Sequence, residues 1–273
     1  HLEPISICLN DLALCDSLNN HTFMERFLMS WNTGVSDAVY LNFAVREDEV
    51  ERLLPPATTL DSRLYRGESW GFFSLILFRH DSLYPARFGW PSVSFPQANL
   101  RVYVKDADGT PSVYFKRMYM PQFYSWLARW FGNPPVNTMN LSFPKSVHSG
   151  GEYRWRLTGS GAGNISGKIE SSKNLTGNMT KIFENRQSLI RFFRDRSLSY
   201  YGAGMDTVYR IQAMGSYSDV LSFRVKEWEL GFLADDLERH NFPEALSANF
   251  IVPAIEFEFD RPSKVPLTEL SNV

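Results

Sequence analysis

The sequence predicts one α+β domain with a mainly antiparallel, barrel-like sheet. Three observations lead to this prediction. Roughly ten segments have the alternating or continuously apolar patterns of strands, and only a few have helical spacing. The helices interrupt the strands without the strand–helix rhythm of a parallel sheet. The chain has 273 residues, a length that single barrels often reach, and it contains no repeat and no linker.

The individual elements are predicted from apolar spacing and from the turn residues between them. In chain order, we expect an amphipathic helix at 22–31, a strand at 38–45, a charged helix at 46–56, strands at 70–78, 98–105 and 111–120, a helix at 121–132, strands at 139–144, 152–159 and 167–171, a helix at 185–201, and strands at 206–214, 218–230 and 254–261.

Two of these elements carry specific expectations about packing. The strand "WGFFSLILF" at 70–78 is apolar throughout, so we expect it to be buried on both faces. In the helix at 121–132, helical spacing places Phe123, Trp126, Leu127 and Trp130 on one apolar side, which we expect to be the packed side.

The predicted barrel domain covers residues 36–265. Residues 1–35 are expected to form an N-terminal extension with a short helix, and residues 266–273 a C-terminal tail. The extension holds the two cysteines, Cys8 and Cys15, which either pair across a short loop in an oxidising compartment or are unrelated thiols. Because the chain opens on a histidine, we expect it to be a fragment or a form from which a targeting segment was removed.

Composition excludes several functional classes. The net charge is −2 and there is no basic stripe, so no nucleic-acid partner is expected. No apolar run approaches the ~18 residues of a membrane helix, so no membrane span is expected. The five histidines and two cysteines show no metal-ligand spacing, so neither a metal nor a cofactor is predicted. The remaining partners are a small hydrophobic molecule and, as an open alternative, a second copy of the chain in a homo-oligomer.

Glycosylation sequons favour a secretory or lumenal protein, with the cytoplasm as the alternative. They begin at Asn20, Asn140, Asn164, Asn174 and Asn178. The last three lie in a stretch rich in glycine, serine and asparagine, which is typical of an exposed loop that could carry glycans. A glycoprotein is therefore one expectation.

The stretch "QANLRVYV" at 97–104 is the strongest functional signal. Its alternation puts Asn99, Arg101 and Tyr103 on one strand face, with Gln97 just ahead of them. A guanidinium, a carboxamide and a phenol in a row are unusual on a solvent face. They either line a cavity, or Arg101 pairs with a carboxylate and joins neighbouring strands.

The order of several motifs resembles a family of uncharacterised proteins in the acetoacetate decarboxylase-like superfamily. An "N-hydrophobic-R-x-Y-V" strand is followed by a helix with an "AR" pair and later by an "SL-x-x-F-x-x-x-R" helix, over roughly residues 36–230. The matching positions here are Asn99, Arg101, Tyr103 and Val104, then Ala128 and Arg129, then Ser188, Leu189, Phe192 and Arg196.

The resemblance implies a cone-shaped β-barrel with a few flanking helices and a cavity inside, toward which Asn99, Arg101 and Tyr103 would point. One departure is important. True acetoacetate decarboxylases form a Schiff base through a lysine that directly follows a proline. The corresponding stretch here reads "FGNPPVN", in which Pro135 and Val136 cannot form an imine. The pair Pro144-Lys145 comes about ten residues late and is interpreted as a loop coincidence.

The predicted function is an enzyme acting on a hydrophobic carbonyl or enol compound, of lyase, isomerase or cyclase type, with secondary metabolism as the expected context. Its expected catalytic residues are Arg101, Tyr103 and Gln97, and its expected substrate-binding residues are Asn99, Trp70 and Tyr114. One alternative is a non-catalytic barrel that binds a hydrophobic ligand. A second alternative is an interaction module whose interior is filled.

Overall fold

The computed structural model describes residues 30–51, 54, 58–129, 134–143, 152–159, 164–172, 178–202, 207–230 and 247–266. Its strands are β1 Ser30–Arg46, β2 Thr59–Leu60, β3 Arg63–Tyr65, β4 Glu68–Pro85, β5 Val93–Lys105, β6 Pro111–Met120, β7 Val136–Thr138, β8 Asn140–Ser142, β9 Glu152–Thr158, β10 Ile165–Ser171, β11 Leu198–Gly202, β12 Thr207–Tyr217, β13 Leu221–Leu230, β14 Ser247–Asp260 and β15 Ser263–Pro266. Its helices are α1 Glu47–Glu51, α2 Gln122–Arg129, α3 Arg186–Arg194 and a 3₁₀-helix Asn178–Lys181.

Seven of the strands are hydrogen-bonded in a closed ring. The order around the ring is β1, β4, β5, β6, β11, β12 and β14, and β14 pairs with β1 again. Most neighbours are antiparallel, and β11 runs parallel to β6. The α+β fold with a mainly antiparallel, barrel-like sheet predicted from the sequence is confirmed.

A second layer of strands covers one side of the ring. Strands β8, β9, β10 and β13 continue the sheet from β14. Their inner side chains, such as Trp155 and Leu157, share one apolar cluster with Leu75 and Val102 from the outer face of the ring. The alternate residues of β4 and β5 face the ring interior, so β4 is buried on both faces as predicted.

Helix α3 closes one end of the ring. Asn185 caps its N-terminus by accepting a hydrogen bond from the backbone N–H of Ser188 at 2.9 Å. Its buried side chains Phe192 and Phe193 pack edge-on against Phe72 of β4 inside the ring. The interior on this side of the molecule is therefore filled with aromatic rings.

Two predicted helices differ from the structure. The helix predicted at 185–201 ends at Arg194, and residues 198–202 form strand β11, because Asp195 leaves the helical conformation and the following residues pair with β6. In α2, Phe123 and Trp126 are 61% and 53% exposed. The helix packs instead through Tyr124, which stacks on Phe95 at 4.1 Å between ring centroids.

Strand boundaries also shift. Strand β1 begins at Ser30, inside the segment assigned to the N-terminal extension, and β4 continues to Pro85 rather than ending at residue 78. Most of the helix predicted at 22–31, both cysteines, Lys145 and the sequons at Asn20 and Asn174 lie outside the described residues. Within the described part of the chain, no helix has the length and apolar character needed to cross a membrane.

Candidate functional site in the ring interior

A cavity of about 400 Å³ occupies the ring interior beside α3. Its walls are mostly apolar side chains of the ring strands, and Tyr124, Leu127 and Ala128 of α2 contribute to the wall as well. The volume lies in the range of small-molecule sites, roughly 300–1,000 Å³. The apolar wall includes Ile76, Phe78, Phe95, Phe115, Met118 and Ile255.

Three of the residues singled out in the sequence meet at this cavity. Gln97, Asn99 and Arg101 are successive inward-facing residues of β5, they are all buried, and they all line the cavity wall. The strand alternation that predicted their common face therefore places a short polar stripe on an otherwise apolar wall.

Arg101 is held at the end of helix α3. Its Nε and Nη2 donate to the Tyr103 hydroxyl at 3.1 and 3.0 Å, and Nη2 also donates to the backbone carbonyl of Phe193. That carbonyl belongs to the last turn of α3, where partial negative charge favours a cation. The guanidinium also lies 5.3 Å from the ring centroid of Tyr40, another cavity residue.

No carboxylate among the described residues is paired with Arg101, although its side chain is only 8% exposed. Two neighbouring cavity arginines do have carboxylate partners. Arg196 is 2.8 Å from Asp61, and Arg194 is 2.6 Å from Asp195. The described lining contains no aspartate, glutamate or lysine. The cavity therefore presents excess positive charge at Arg101, which favours a ligand with negative charge or a strongly polarised oxygen.

Three phenols on the cavity wall are held in their protonated form. Burial raises the pKa of Tyr40 and Tyr201 well above the usual range, and burial also raises that of Tyr217. For Tyr40, the positive charge of Arg101 opposes this rise in pKa without cancelling it. At neutral pH these side chains are hydrogen-bond donors and are not bases.

A chain of hydrogen bonds runs along the cavity wall and includes two residues of the polar stripe. His80 Nδ1 lies 2.8 Å from the Thr33 hydroxyl, and His80 Nε2 lies 3.1 Å from Gln97 Oε1. Gln97 Nε2 donates in turn to Asn99 Oδ1 at 2.8 Å. The imidazole packs between Phe78 and Phe95, with ring centroids 5.1 and 4.6 Å away. Burial lowers the pKa of His80 from 6.5 to about 4.

This low pKa predicts a loss of stability in mild acid. Below pH 6.5 an unfolded chain protonates this histidine, whereas the folded protein keeps it neutral until about pH 4. The free energy of unfolding should therefore fall as the pH decreases between these values, by about 2 kcal/mol from pH 7 to pH 4.5. Urea unfolding of the wild type and of His80→Gln at both pH values isolates this contribution from that of the carboxylates. Equal losses in the two proteins would contradict it.

The other three predicted site residues lie away from the cavity surface. Tyr103 faces inward but is fully buried against Phe192 and Phe193, with its hydroxyl bonded to Arg101. Trp70 is near the start of β4, where it packs against the aromatic cluster and does not line the cavity. Tyr114 is opposite Val102 in the β5–β6 register, so its side chain belongs to the outer face of the ring. Trp70 and Tyr114 therefore do not form the predicted cavity walls.

Sequence reasoning missed His80 and Tyr40. The apolar run of β4 ends at Phe78, which leaves His80 beyond the predicted strand, whereas β4 continues and keeps it in phase with Ile76 and Phe78 on the inner face. Extending the alternation of the strand by two residues would have indicated its position. Among the residues that the structure describes, no group of three or more His, Cys, Asp or Glu side chains is arranged to hold a metal ion.

Three solved structures illustrate the similarity of this fold to known proteins, although their sequences are only distantly similar to this chain. An acetoacetate decarboxylase-like enzyme from Sphingomonas wittichii RW1 has a TM-score of 0.57 and 9% identity, over 87% of this chain and 93% of the other. The enduracididine biosynthesis enzyme MppR, complexed with pyruvate, has a TM-score of 0.55 and 12% identity, over 89% and 91%. Acetoacetate decarboxylase from Legionella pneumophila has a TM-score of 0.53 and 8% identity, over 87% and 88%. At these identities the similarity concerns the fold.

The sequence comparison identifies the family. No curated protein matches the chain in sequence. The DUF2071 family, described as an uncharacterized conserved protein, matches residues 31–213, which include β1, β4, β5, β6 and α3 and therefore most of the cavity wall. The chain belongs to the DUF2071 family, and its fold is similar to that of the acetoacetate decarboxylase-like structures.

Proposed function

We propose that the chain is an enzyme that binds a hydrophobic carbonyl or enol compound in the ring cavity and stabilises negative charge on its oxygen. The observation that carries this proposal is the buried guanidinium of Arg101, which faces an apolar cavity and has no carboxylate partner among the described residues. A fixed cation in a water-poor site stabilises a developing oxyanion more strongly than it would in water.

The residues then have distinct roles in this proposal. Arg101 polarises the ligand oxygen, and Asn99 and Gln97 orient it from the same strand. Tyr103 is assigned to holding Arg101, because its hydroxyl accepts two bonds from the guanidinium and does not reach the cavity surface. Apolar contacts come from residues such as Ile76, in place of Trp70 and Tyr114.

The reaction type is expected to be isomerisation, cyclisation or dehydration, which need placement and oxyanion stabilisation above all. A protonated phenol such as Tyr40 can donate its proton to the carbon or oxygen of the enolate, and the solvent water that took up the proton removed from the carbon next to the carbonyl then reprotonates the phenol. Pyruvate, with which the structural neighbour MppR is complexed, is itself a carbonyl acid and is compatible with this ligand class. Secondary metabolism is the proposed context.

Exchange of hydrogen for deuterium tests the proposal without knowledge of the natural substrate. An enzyme that stabilises an enolate should accelerate exchange of the protons next to the carbonyl of phenylpyruvate in D₂O, as measured by NMR. Arg101→Met should reduce this acceleration about a hundredfold. Binding of phenylpyruvate without accelerated exchange would overturn the enzyme and favour a binding barrel, and absence of binding would overturn both.

A non-catalytic binding barrel is the second candidate. The observation that favours it is the absence of a carboxylate or lysine from the described cavity lining, so that no strong general base is placed beside Arg101. The same cavity would then hold an apolar acid without turnover.

Imine chemistry is expected to be absent in either case. The described lining contains no lysine, and residues 134–136 carry Pro-Pro-Val where the superfamily lysine would stand. Incubation with acetoacetate and sodium borohydride should leave the protein mass unchanged. A stable adduct on any lysine, including Lys145, would contradict this expectation.

The compartment and the oligomeric state are also proposals. Two sequon residues for which exposure is described, Asn140 and Asn164, are exposed, as glycan attachment requires. A secretory or lumenal glycoprotein is one proposal, with the cytoplasm as the alternative. A homo-oligomer is one proposed quaternary state.

A further inference from the structure

The chain of hydrogen bonds on the cavity wall, which we call the relay, is formed by the side chains of Thr33, His80, Gln97 and Asn99. Each of the two amides, and the imidazole ring, has one side that donates a hydrogen bond and one side that accepts one. Gln97 donates through Nε2 to Asn99 and therefore accepts through Oε1 from His80 Nε2. This arrangement requires the proton of the neutral imidazole to be on Nε2. Nδ1 is then the acceptor for the Thr33 hydroxyl.

The direction of the relay determines what Asn99 offers to a ligand. Its Oδ1 is occupied by Gln97, and its Nδ2 has no partner among the described residues. Asn99 lines the cavity, so the group left for a ligand is the amide N–H. Arg101, two residues further along the same strand face and about 7 Å away along the backbone, is also purely a donor.

The reverse direction would be equally connected but would present the opposite chemistry. With the proton on Nδ1, His80 would donate to Thr33, whose hydroxyl already lies 3.1 Å from the Gly34 carbonyl and could donate there. The side-chain amides of Gln97 and Asn99 would both be rotated by half a turn, and Asn99 would present its side-chain carbonyl oxygen to the cavity. A ligand donor such as an ammonium group would then have to bind next to the Arg101 cation, which is electrostatically unfavourable.

We propose that His80 and Thr33 are positioning residues that fix the amide direction of Gln97 and Asn99, so that Asn99 and Arg101 together select ligands carrying acceptor oxygens. This inference rests on the proposed function for its ligand class. It adds which residues determine that the cavity offers hydrogen-bond donors to the ligand. The chemical group selected is a carboxylate, an enolate or a pair of carbonyl oxygens on an apolar body, in preference to an amine.

The relay itself is tested on the ligand-free protein. Imidazole ¹⁵N shifts, measured at pH 7 on protein labelled in its histidines, report which ring nitrogen carries the proton. The His80 signals are identified by their loss in His80→Phe. We expect a neutral ring protonated on Nε2. A ring protonated on Nδ1, or an imidazolium, would overturn the proposal whatever ligand the cavity binds.

The selection of acceptor oxygens is tested by calorimetry with octanoate and 1-octylamine. The wild type should bind octanoate and not the amine. Asn99→Leu should weaken octanoate binding about tenfold, the effect of losing one hydrogen bond to a charged group. His80→Phe should weaken it by a smaller factor, since Asn99 remains but is no longer held in one orientation. The matched control Asn137→Leu, on exposed strand β7, should have no effect.

These outcomes separate the positioning role of His80 from the proposed ligand class. If octanoate binds equally to the wild type, Asn99→Leu and His80→Phe, the positioning role is overturned while an apolar binding cavity stands. If the wild type binds neither probe, the proposed ligand class is overturned, and the imidazole measurement still decides the direction of the relay. A preference for octylamine would overturn both.

Discussion

Replacing Arg101 by methionine is expected to weaken binding of phenylpyruvate about a hundredfold while changing the melting temperature little. Methionine keeps the apolar length of the side chain and removes all five N–H donors. The substitution removes the charge of the guanidinium as well as its hydrogen bonds to the ligand, so we expect a loss at the upper end of the ~1.5–3 kcal/mol range for hydrogen bonds to charged groups, which is about a hundredfold. The affinity is measured by calorimetry and the melting temperature by differential scanning calorimetry on the same sample.

Stability should survive this substitution because the partners of Arg101 can satisfy each other. The Tyr103 hydroxyl lies 3.2 Å from the Phe193 carbonyl and 2.8 Å from the Ser74 hydroxyl. Removal of the guanidinium therefore leaves neither the Tyr103 hydroxyl nor the Phe193 carbonyl without a hydrogen-bond partner. In addition, the desolvation cost of a buried cation without a carboxylate partner disappears. These effects oppose the loss of the contacts at the end of α3.

A purely structural Arg101 would produce the opposite pattern. The melting temperature would fall, and the folded fraction would bind phenylpyruvate normally. Arg191→Met serves as the matched control, because Arg191 is exposed on α3. This control should leave both the affinity and the melting temperature unchanged.

Strand alternation was enough to predict that the polar residues of β5 share one face, and the family resemblance implied that this face looks into the ring. The side-chain period of a strand is two residues, so Gln97, Asn99 and Arg101 had to share a face once the strand was recognised. The same parity, together with the apolar run of β4, predicted that the other face packs under further structure. These are local properties of the chain, and for that reason the fold class and the polar stripe could be predicted.

The alternation of side chains along a strand does not determine at which level of the ring a residue lies. Trp70 is in phase with Ile76 on the inner face, but it lies six residues earlier, which is about 20 Å along an extended strand. Tyr103 is similarly one step beyond Arg101 and ends under α3. Which level of the ring is open depends on where α3 packs, and that position is set by long-range contacts.

Register was the second property that the sequence did not reveal. An irregularity between Leu100 and Arg101 shifts the pairing of β5 with β6, so that Arg101 faces Phe115 and Val102 faces Tyr114. Tyr114 therefore shares the outer face with Val102. A single bulge reverses the inside and outside assignment of every residue beyond it.

Among the substitutions considered, one that breaks the ion pair of Asp61 and Arg196 is expected to cost the most stability. Both side chains are only 2% exposed, and their charged atoms are 2.8 Å apart. The pair joins the segment before β3 to the chain just after α3. Because the Arg196 guanidinium also stacks 4.4 Å from the Phe192 ring centroid, it has no route to solvent that keeps this packing.

Asp61→Asn should lower the free energy of unfolding by about 3–5 kcal/mol. The change removes the charge that compensates a buried guanidinium, and a lone buried charge is far more costly than the intact pair is favourable. Burial already lowers the pKa of Arg196, and Asp61 opposes that effect, so the substitution leaves burial as the main influence. Urea unfolding at pH 7 measures the loss.

The double variant Asp61→Asn with Arg196→Met identifies the cause of that loss. If the cost arises from the uncompensated cation, removing the guanidinium should restore most of the stability, and the double variant should unfold at a higher urea concentration than Asp61→Asn alone. Asp219→Asn, at an exposed position, should change stability by less than about 0.5 kcal/mol. A double variant less stable than Asp61→Asn would mean that Arg196 acts through its hydrogen bond to the Phe192 carbonyl and its packing, and that Asp61 stabilises the fold by another route.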